Sequence, residues 1–261
     1  MKGTLWVLWE FQLRNALRSR WVLLYGGGLL LLTALLFRFG GTAEQVVVSL
    51  LNVVLLLVPL VALLYGVLGI SSAREFLELM LAQPLQRQEL FWGTFGGMAL
   101  PLLLLPPLSI GIPWLVFAAG RWELLLTLSL GSMVLSLIGA AAGVAFALRW
   151  EERLHAIGVA FGFWFALTIL YDGFILWAGI ALRDYPIEHG LLLALVLNPV
   201  DLVRVATLLQ LDAAALLGYT GAALERFAGS TLGILLAAGA LALWCAFPLW
   251  LALRGFLRKD F

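Results

Sequence analysis

Few side chains in this 261-residue chain could do chemistry, and they fall into three small groups. The first is a polar stretch, residues 71–90, with five charges, Arg74, Glu75, Glu78, Arg87 and Glu89, beside an apolar stripe at Phe76, Leu79 and Met80. Long apolar runs flank it. A mixed helix of this kind, stopping at Pro84 and restarting, suits a position outside a bilayer in contact with another protein. The second group is a single acid, Asp172, in Tyr171-Asp172-Gly173 of an otherwise apolar segment. An ionisable group at membrane depth is costly and points to function. Counted from Leu154 it falls in the outer half of its helix. There it could hold a cation or hydrogen-bond across a dimer seam; the plainer alternatives are hydration near the headgroups or neutralisation by a proton. The third group is Asn198-Pro199-Val200-Asp201 with Arg204 behind it. It reads as a helix start: Asn198 as N-cap, Pro199 at the first helical position, and Asp201 in the first turn near the positive end of the helix dipole.

Several chemistries are absent. No G-x-x-x-x-G-K-[ST] loop occurs, and Gly26-Gly27-Gly28 lies inside an apolar run, so any ATP dependence must come from a partner. H-E-x-x-H, G-x-S-x-G and a Cys/His pair are missing too, which leaves a membrane hydrolase or acyltransferase without support. His155 and His189 are expected on opposite faces of the membrane. Met80, Met98, Met133 and Cys245 are scattered, so no metal site is expected. Cys245, the one cysteine, can form no intrachain disulfide and reads as a small apolar side chain. A net charge of +1 from 16 basic and 15 acidic residues leaves no surplus with which to track a nucleic acid.

The elements that must position these groups are membrane-spanning helices. The chain is 63% hydrophobic with a mean hydropathy of +1.05 and only 12% charged residues, against about 25% in soluble domains. Six segments, residues 21–37, 46–70, 93–119, 124–148, 154–180 and 232–253, are long and apolar enough to cross about 30 Å of hydrocarbon. The first follows Arg14, Arg18 and Arg20 in the manner of a signal peptide, but its apolar run is too long, and an uncleaved span is expected.

Counting Lys and Arg on each face sets the orientation. Lys2, Arg14, Arg18, Arg20, Arg74, Arg87, Arg149, Arg153, Arg254, Arg258 and Lys259 lie on one side, and Arg38, Arg121, Arg183, Arg204 and Arg226 on the other. This places both termini in the cytoplasm. Before the first span, Trp6, Trp9, Leu13 and Leu17 recur at helical spacing, with Glu10 and Arg14 paired on another face. Residues 1–20 are therefore expected to form an interfacial elbow helix, the alternative being an extension of the first span.

The long connection at residues 181–231 is expected to present two short helices on the outer face, the second starting after Asp212 and ending at Gly218. They would serve either as a lid on their own bundle or as a dock for an extracytoplasmic partner. Pro101, Pro106, Pro107 and Pro113 could break or kink the third span, so that it flexes or lines a cavity, or they could kink it for structural reasons alone. No repeat or second domain is visible; residues 1–261 read as one transmembrane domain, with residues 72–90 as its cytoplasmic handle.

An interfacial N-terminal helix, six spans, internal termini, no ATPase motif and a handle after span two resemble the ABC-2 class of ABC transporter permeases. The most specific stretch is Gln83-Pro84-Leu85-Gln86-Arg87-Gln88-Glu89-Leu90-Phe91-Trp92-Gly93. It is similar to that family's P-x-x-R-x-x-[IL]-x-x-G approach to span three, with Thr94 where relatives often carry Lys. The resemblance implies an all-α permease of the inner membrane that is not itself an enzyme. It also implies two cytoplasmic ABC ATPase subunits that bind ATP and Mg, a second copy of the chain, and surrounding lipid. It makes Arg74, Glu75, Phe76, Glu78, Leu79, Arg87 and Glu89 the ATPase-coupling residues.

Tyr171-Asp172 and Leu197-Asn198-Pro199-Val200-Asp201-Leu202-Val203-Arg204 resemble, more narrowly, the permeases of the copper-site assembly apparatus of nitrous oxide reductase. That implies a periplasmic copper-handling or accessory protein engaging the long connection at Asn198, Pro199, Asp201 and Arg204. An exporter of a lipid, glycan or drug, and a non-transporting membrane scaffold, are the alternative readings.

Overall fold

The computed structural model describes residues 9–10, 13–14, 18–40, 42–81, 86–117, 120–181, 188–211 and 231–259. Among these the regular structure is helical: α1 (Arg20–Phe39), α2 (Ala43–Leu81), α3 (Arg87–Val116), α4 (Trp122–Arg149), α5 (Arg153–Phe165), a π turn (Ala166–Leu170), α6 (Tyr171–Ala181), α7 (Glu188–Leu197), α8 (Pro199–Gln210) and α9 (Thr231–Arg258). Six spans are long and apolar enough to cross a membrane: α1, α2, α3, α4, the joined α5–α6 (Arg153–Ala181) and α9 (Gly233–Arg258). Large apolar side chains such as Leu176, Trp177, Leu243 and Phe247 point outward, as a hydrocarbon surround requires.

The core is built on α2 and α4, whose backbones touch. Gly139 and Gly143 stand four apart on one face of α4, and a Cβ on Gly139 would sit 2.8 Å from the Pro59 carbonyl oxygen of α2. Gly143 abuts the Leu63 carbonyl still more closely, and a Cβ on Gly66 of α2 would lie 2.5 Å from the Ala140 oxygen. Lipid gives no hydrophobic drive between helices, so this close approach of small residues supplies the van der Waals contact that holds them together.

Two expectations change. The cytoplasmic handle is not a separate helix: α2 runs unbroken for 39 residues to Leu81, about 58 Å at 1.5 Å per residue, so residues 71–81 are the end of span two. The fall in hydropathy at Ser71 marks the bilayer surface rather than a helix stop, while residues 82–85, with Pro84, lie outside those described. The third span is not broken either. It begins at Arg87 and stays helical through all four prolines.

Of the expected elbow helix, Trp9, Glu10, Leu13 and Arg14 are helical, with Arg14 Nη2 2.5 Å from Glu10 Oε1. Trp9 packs on Gly96 of α3. Trp6, Leu17 and the second outer helix after Asp212 lie outside the described residues.

Candidate functional site

The candidate residues gather at two ends of the bundle. At the cytoplasmic end, the last turns of α2 have two faces. Leu77 is buried, and Ala73, Phe76 and Met80 pack on the main core; Glu75 and Glu78 are exposed, and Leu79 is 69% exposed. The apolar stripe is thus split: Phe76 and Met80 belong to the protein's own core, and Leu79 joins the two acids outside.

Arg74 also turns inward, where its Nη2 donates to the Ala147 and Trp150 carbonyls (3.3 Å each) at the end of α4. Lys259 Nζ donates to the Leu148 carbonyl there (3.0 Å). Burial, with Arg74 alongside, lowers the Lys259 ammonium below its ordinary value. Arg87 Nη1 donates to the Leu257 and Lys259 carbonyls (3.1 Å each) at the end of α9. The final carbonyls of a helix lack intrahelical donors and carry the negative end of its dipole, so cations settle there. Of the seven residues proposed to couple to an ATPase, Arg74, Phe76 and Arg87 are engaged within the chain. Glu75, Glu78 and Leu79 form the exposed edge, and Glu89 is half-buried in the first turn of α3.

At the outer end, Asp172, Asn198, Asp201 and Arg204 form one network. Asn198 caps α8, its Oδ1 accepting from the Val200 N–H (3.0 Å), with Pro199 at the first position. Its Nδ2 donates to Asp201 Oδ2 (3.0 Å) and to the Leu167 carbonyl in the π turn (2.8 Å). Arg204 grips Asp172 with both terminal nitrogens, at 2.9 and 2.8 Å, and Asp201 Oδ1 at 2.6 Å. The intramembrane acid therefore has a partner in the same chain, a fixed fork suited to bidentate carboxylate pairing.

Burial, with Asp172 adding its negative charge, outweighs the pull of Arg204 and raises the Asp201 carboxyl to about 6. The Arg204 guanidinium, which burial alone would depress, is held above its ordinary value by the two acids. Asn198 and Pro199 are buried, Asn198 fully (0% exposed), and Asp201 nearly so. These three are not an open docking face. They pack as a lid on the bundle, because each polar atom is committed to a cap or a partner within it.

Two further residues do work that charge counting hides. Arg121, at a left-handed φ of 46°, donates to Glu44 Oε1 of α2 (2.6 Å) and to the Gln210 carbonyl at the end of α8 (2.8 Å). Trp164 Nε1 donates to the Leu56 carbonyl of α2 (2.9 Å), beside Pro59, which lacks a backbone N–H and disturbs that turn.

Six apolar helices with a charged cytoplasmic edge and a capped outer network define a multi-pass protein of the cytoplasmic membrane, the architecture of a transporter permease. No protein-family model matches the chain. It is 30% identical over 264 residues to the probable ABC transporter permease protein NosY of Pseudomonas aeruginosa, covering 94% of this chain and 92% of that one. To the probable ABC transporter permease protein NosY of Stutzerimonas stutzeri it is 27% identical over 277 residues, covering 94% and 93%. The chain belongs to the NosY family of ABC transporter permeases.

Proposed function

We propose that this permease subunit converts ATP hydrolysis on a separate ABC ATPase into movement of its outer helices, in the maturation of the copper site of nitrous oxide reductase. The observation that carries the reading is the continuity of α2. One helix crosses the membrane and projects far enough to carry Glu75, Glu78 and Leu79 on an exposed edge, while Leu77, Phe76 and Arg74 fix that edge to the core. A rigid helix end passes displacement on where a loop would absorb it. Two copies of the chain would each engage one ATPase, which binds ATP and Mg. A periplasmic copper-handling or accessory protein would meet the outer helices at exposed positions such as Ala206 and Gln210 of α8, which leave the capped residues undisturbed.

Reversing the edge charges (Glu75→Lys with Glu78→Lys) should abolish co-purification of the ATPase from detergent extracts while leaving the permease folded, since neither side chain is buried. Intact assembly would instead support a membrane scaffold. Mass spectrometry of the unmutated complex separates the rest: an ATPase with a periplasmic protein fits maturation, and an ATPase alone fits export of a lipid, glycan or drug.

A further inference from the structure

Span five is assembled from unlike halves. α5 is anchored: Ala156 and Ala160 are fully buried in the main core, and Trp164 is bonded to Leu56 of α2. α6 has no buried residue, and Gly173, Phe174, Leu176, Trp177 and Ile180 are exposed. Side-chain links tie it to the outer helices: Tyr171 Oη donates to the Ala194 carbonyl of α7, and Asp172 pairs with Arg204 of α8. Between the halves lies the π turn Ala166–Leu170, a one-residue surplus in an α-helix, a feature frequent at functional sites. Side chains serve the carbonyls it disturbs, with Thr168 Oγ1 bonding Trp164 (2.8 Å) and Asn198 Nδ2 bonding Leu167.

The turn also borders a cavity of about 20 Å³ with apolar walls, among them Pro59, Gly139, Trp164, Leu167, Thr168 and Pro199. Its lining offers a water no polar partner. Pro59 of α2, the π turn of span five and Pro199 at the start of α8 thus meet around this cavity.

We propose that span five is a two-register element, in which release of the π surplus turns α6 against α5 and the Asp172–Arg204 pair is the catch that holds the register seen here. Shifting one residue rotates α6 by about 100° and moves it about 1.5 Å along its axis, which the bidentate pair cannot follow. The catch must open, and α7 and α8 are freed from α6. This deepens the proposed coupling, on which it rests only for the source of energy.

The test uses a Cys245→Ala background, free of cysteine because Cys245 is the sole one. Spin labels go at Leu176→Cys on α6 and Ala206→Cys on α8, both exposed. In the complex purified with its ATPase, trapping a non-hydrolysable ATP analogue should shift the interlabel distance by up to about 8 Å, the swing of a surface side chain on a helix turned by 100°. Deleting Ile169, an exposed residue of the turn, removes the surplus and should abolish that movement while keeping the original distance. Asp172→Asn, with no nucleotide and no ATPase, should add the second distance in the full-length turn and not in the Ile169 deletion. A single unchanged distance in Asp172→Asn overturns the inference, as does a nucleotide-driven shift that survives the deletion. If no ATPase co-purifies, the coupling reading fails while the Asp172→Asn arm still decides this one. That arm also decides if the deletion does not fold.

Discussion

At the cytoplasmic end, Arg74 and Arg87 spend their guanidinium groups on main-chain carbonyls at the ends of α4 and α9, whereas at the outer end Arg204 is divided between two carboxylates. Neither a carbonyl nor a guanidinium titrates near neutral pH, so the Arg74 bonds to the Ala147 and Trp150 carbonyls are insensitive to pH. Carboxylates do titrate, and two acids facing one cation leave the outer network with a charge of −1 that a single proton can cancel. Burial separates the α2–α4 seam from span five: 56% of residues in the most apolar windows of α2 and α4 are buried, against 11% in span five. The inner end and the α2–α4 seam are built as a fixed frame, and the outer end is fastened to it by bonds that conditions can change.

The contrast can be broken most forcefully at Arg204. Arg204→Ala strands Asp172 and Asp201 without their cation, and loss of one member of a buried pair costs about 3–4 kcal/mol, the lower part of the range because the Asp172 side chain is 34% exposed. Thermal unfolding in detergent should show a large drop in midpoint, and Asp172→Asn in the same chain should restore part of it.

Next in size is a pH effect. The Asp201 carboxyl lies near 6 in the folded chain against 3.8 otherwise. Between those values the folded state holds a proton that the unfolded state has lost, so stability should fall as pH rises from about 4 to about 6, by about 2–3 kcal/mol in total. Unfolding midpoints across that window should slope downward in the native chain and flatten in Asp201→Asn.

Gly143→Ala sharpens the other side of the comparison. The added methyl meets the Leu63 backbone, which cannot step aside as a side chain can, and overpacking of this kind costs about 1–3 kcal/mol. Its effect should be the same at pH 5 and pH 7. The smallest change expected is Arg74→Ala, about 0.3–1 kcal/mol for a cation at a helix C-terminus, again without pH dependence. A pH slope in Arg74→Ala would erase the distinction between the two ends.

The spans were legible from the chain because an apolar run of bilayer length leaves few alternatives, and the cap at Asn198-Pro199 was legible because capping is local. The Asp172–Arg204 pair was not, since 32 positions and an intervening helix, α7, separate the partners. The π turn has no signature in Ala166-Leu-Thr-Ile-Leu170, where each residue would serve an ordinary helix equally well. The junction at Ser71 misleads for a physical reason: hydropathy reports the solvent, whereas helix continuity depends on the backbone, which stays helical through to Leu81. Gly139-Ala-Ala-Ala-Gly143 is a spacing suited to helix contact, but which helix it meets depends on the fold.

The spacing between Asp172 and Arg204 also bears on how the protein is made. Synthesis proceeds at about 5–20 residues per second, so the acid emerges from the ribosome roughly two to six seconds ahead of its arginine. Span five must therefore enter the bilayer with its carboxyl unmatched, bearing an insertion penalty that the finished protein no longer carries. A truncation ending before residue 204 lacks the arginine for good, and should be handled by quality control as a poorly inserted chain.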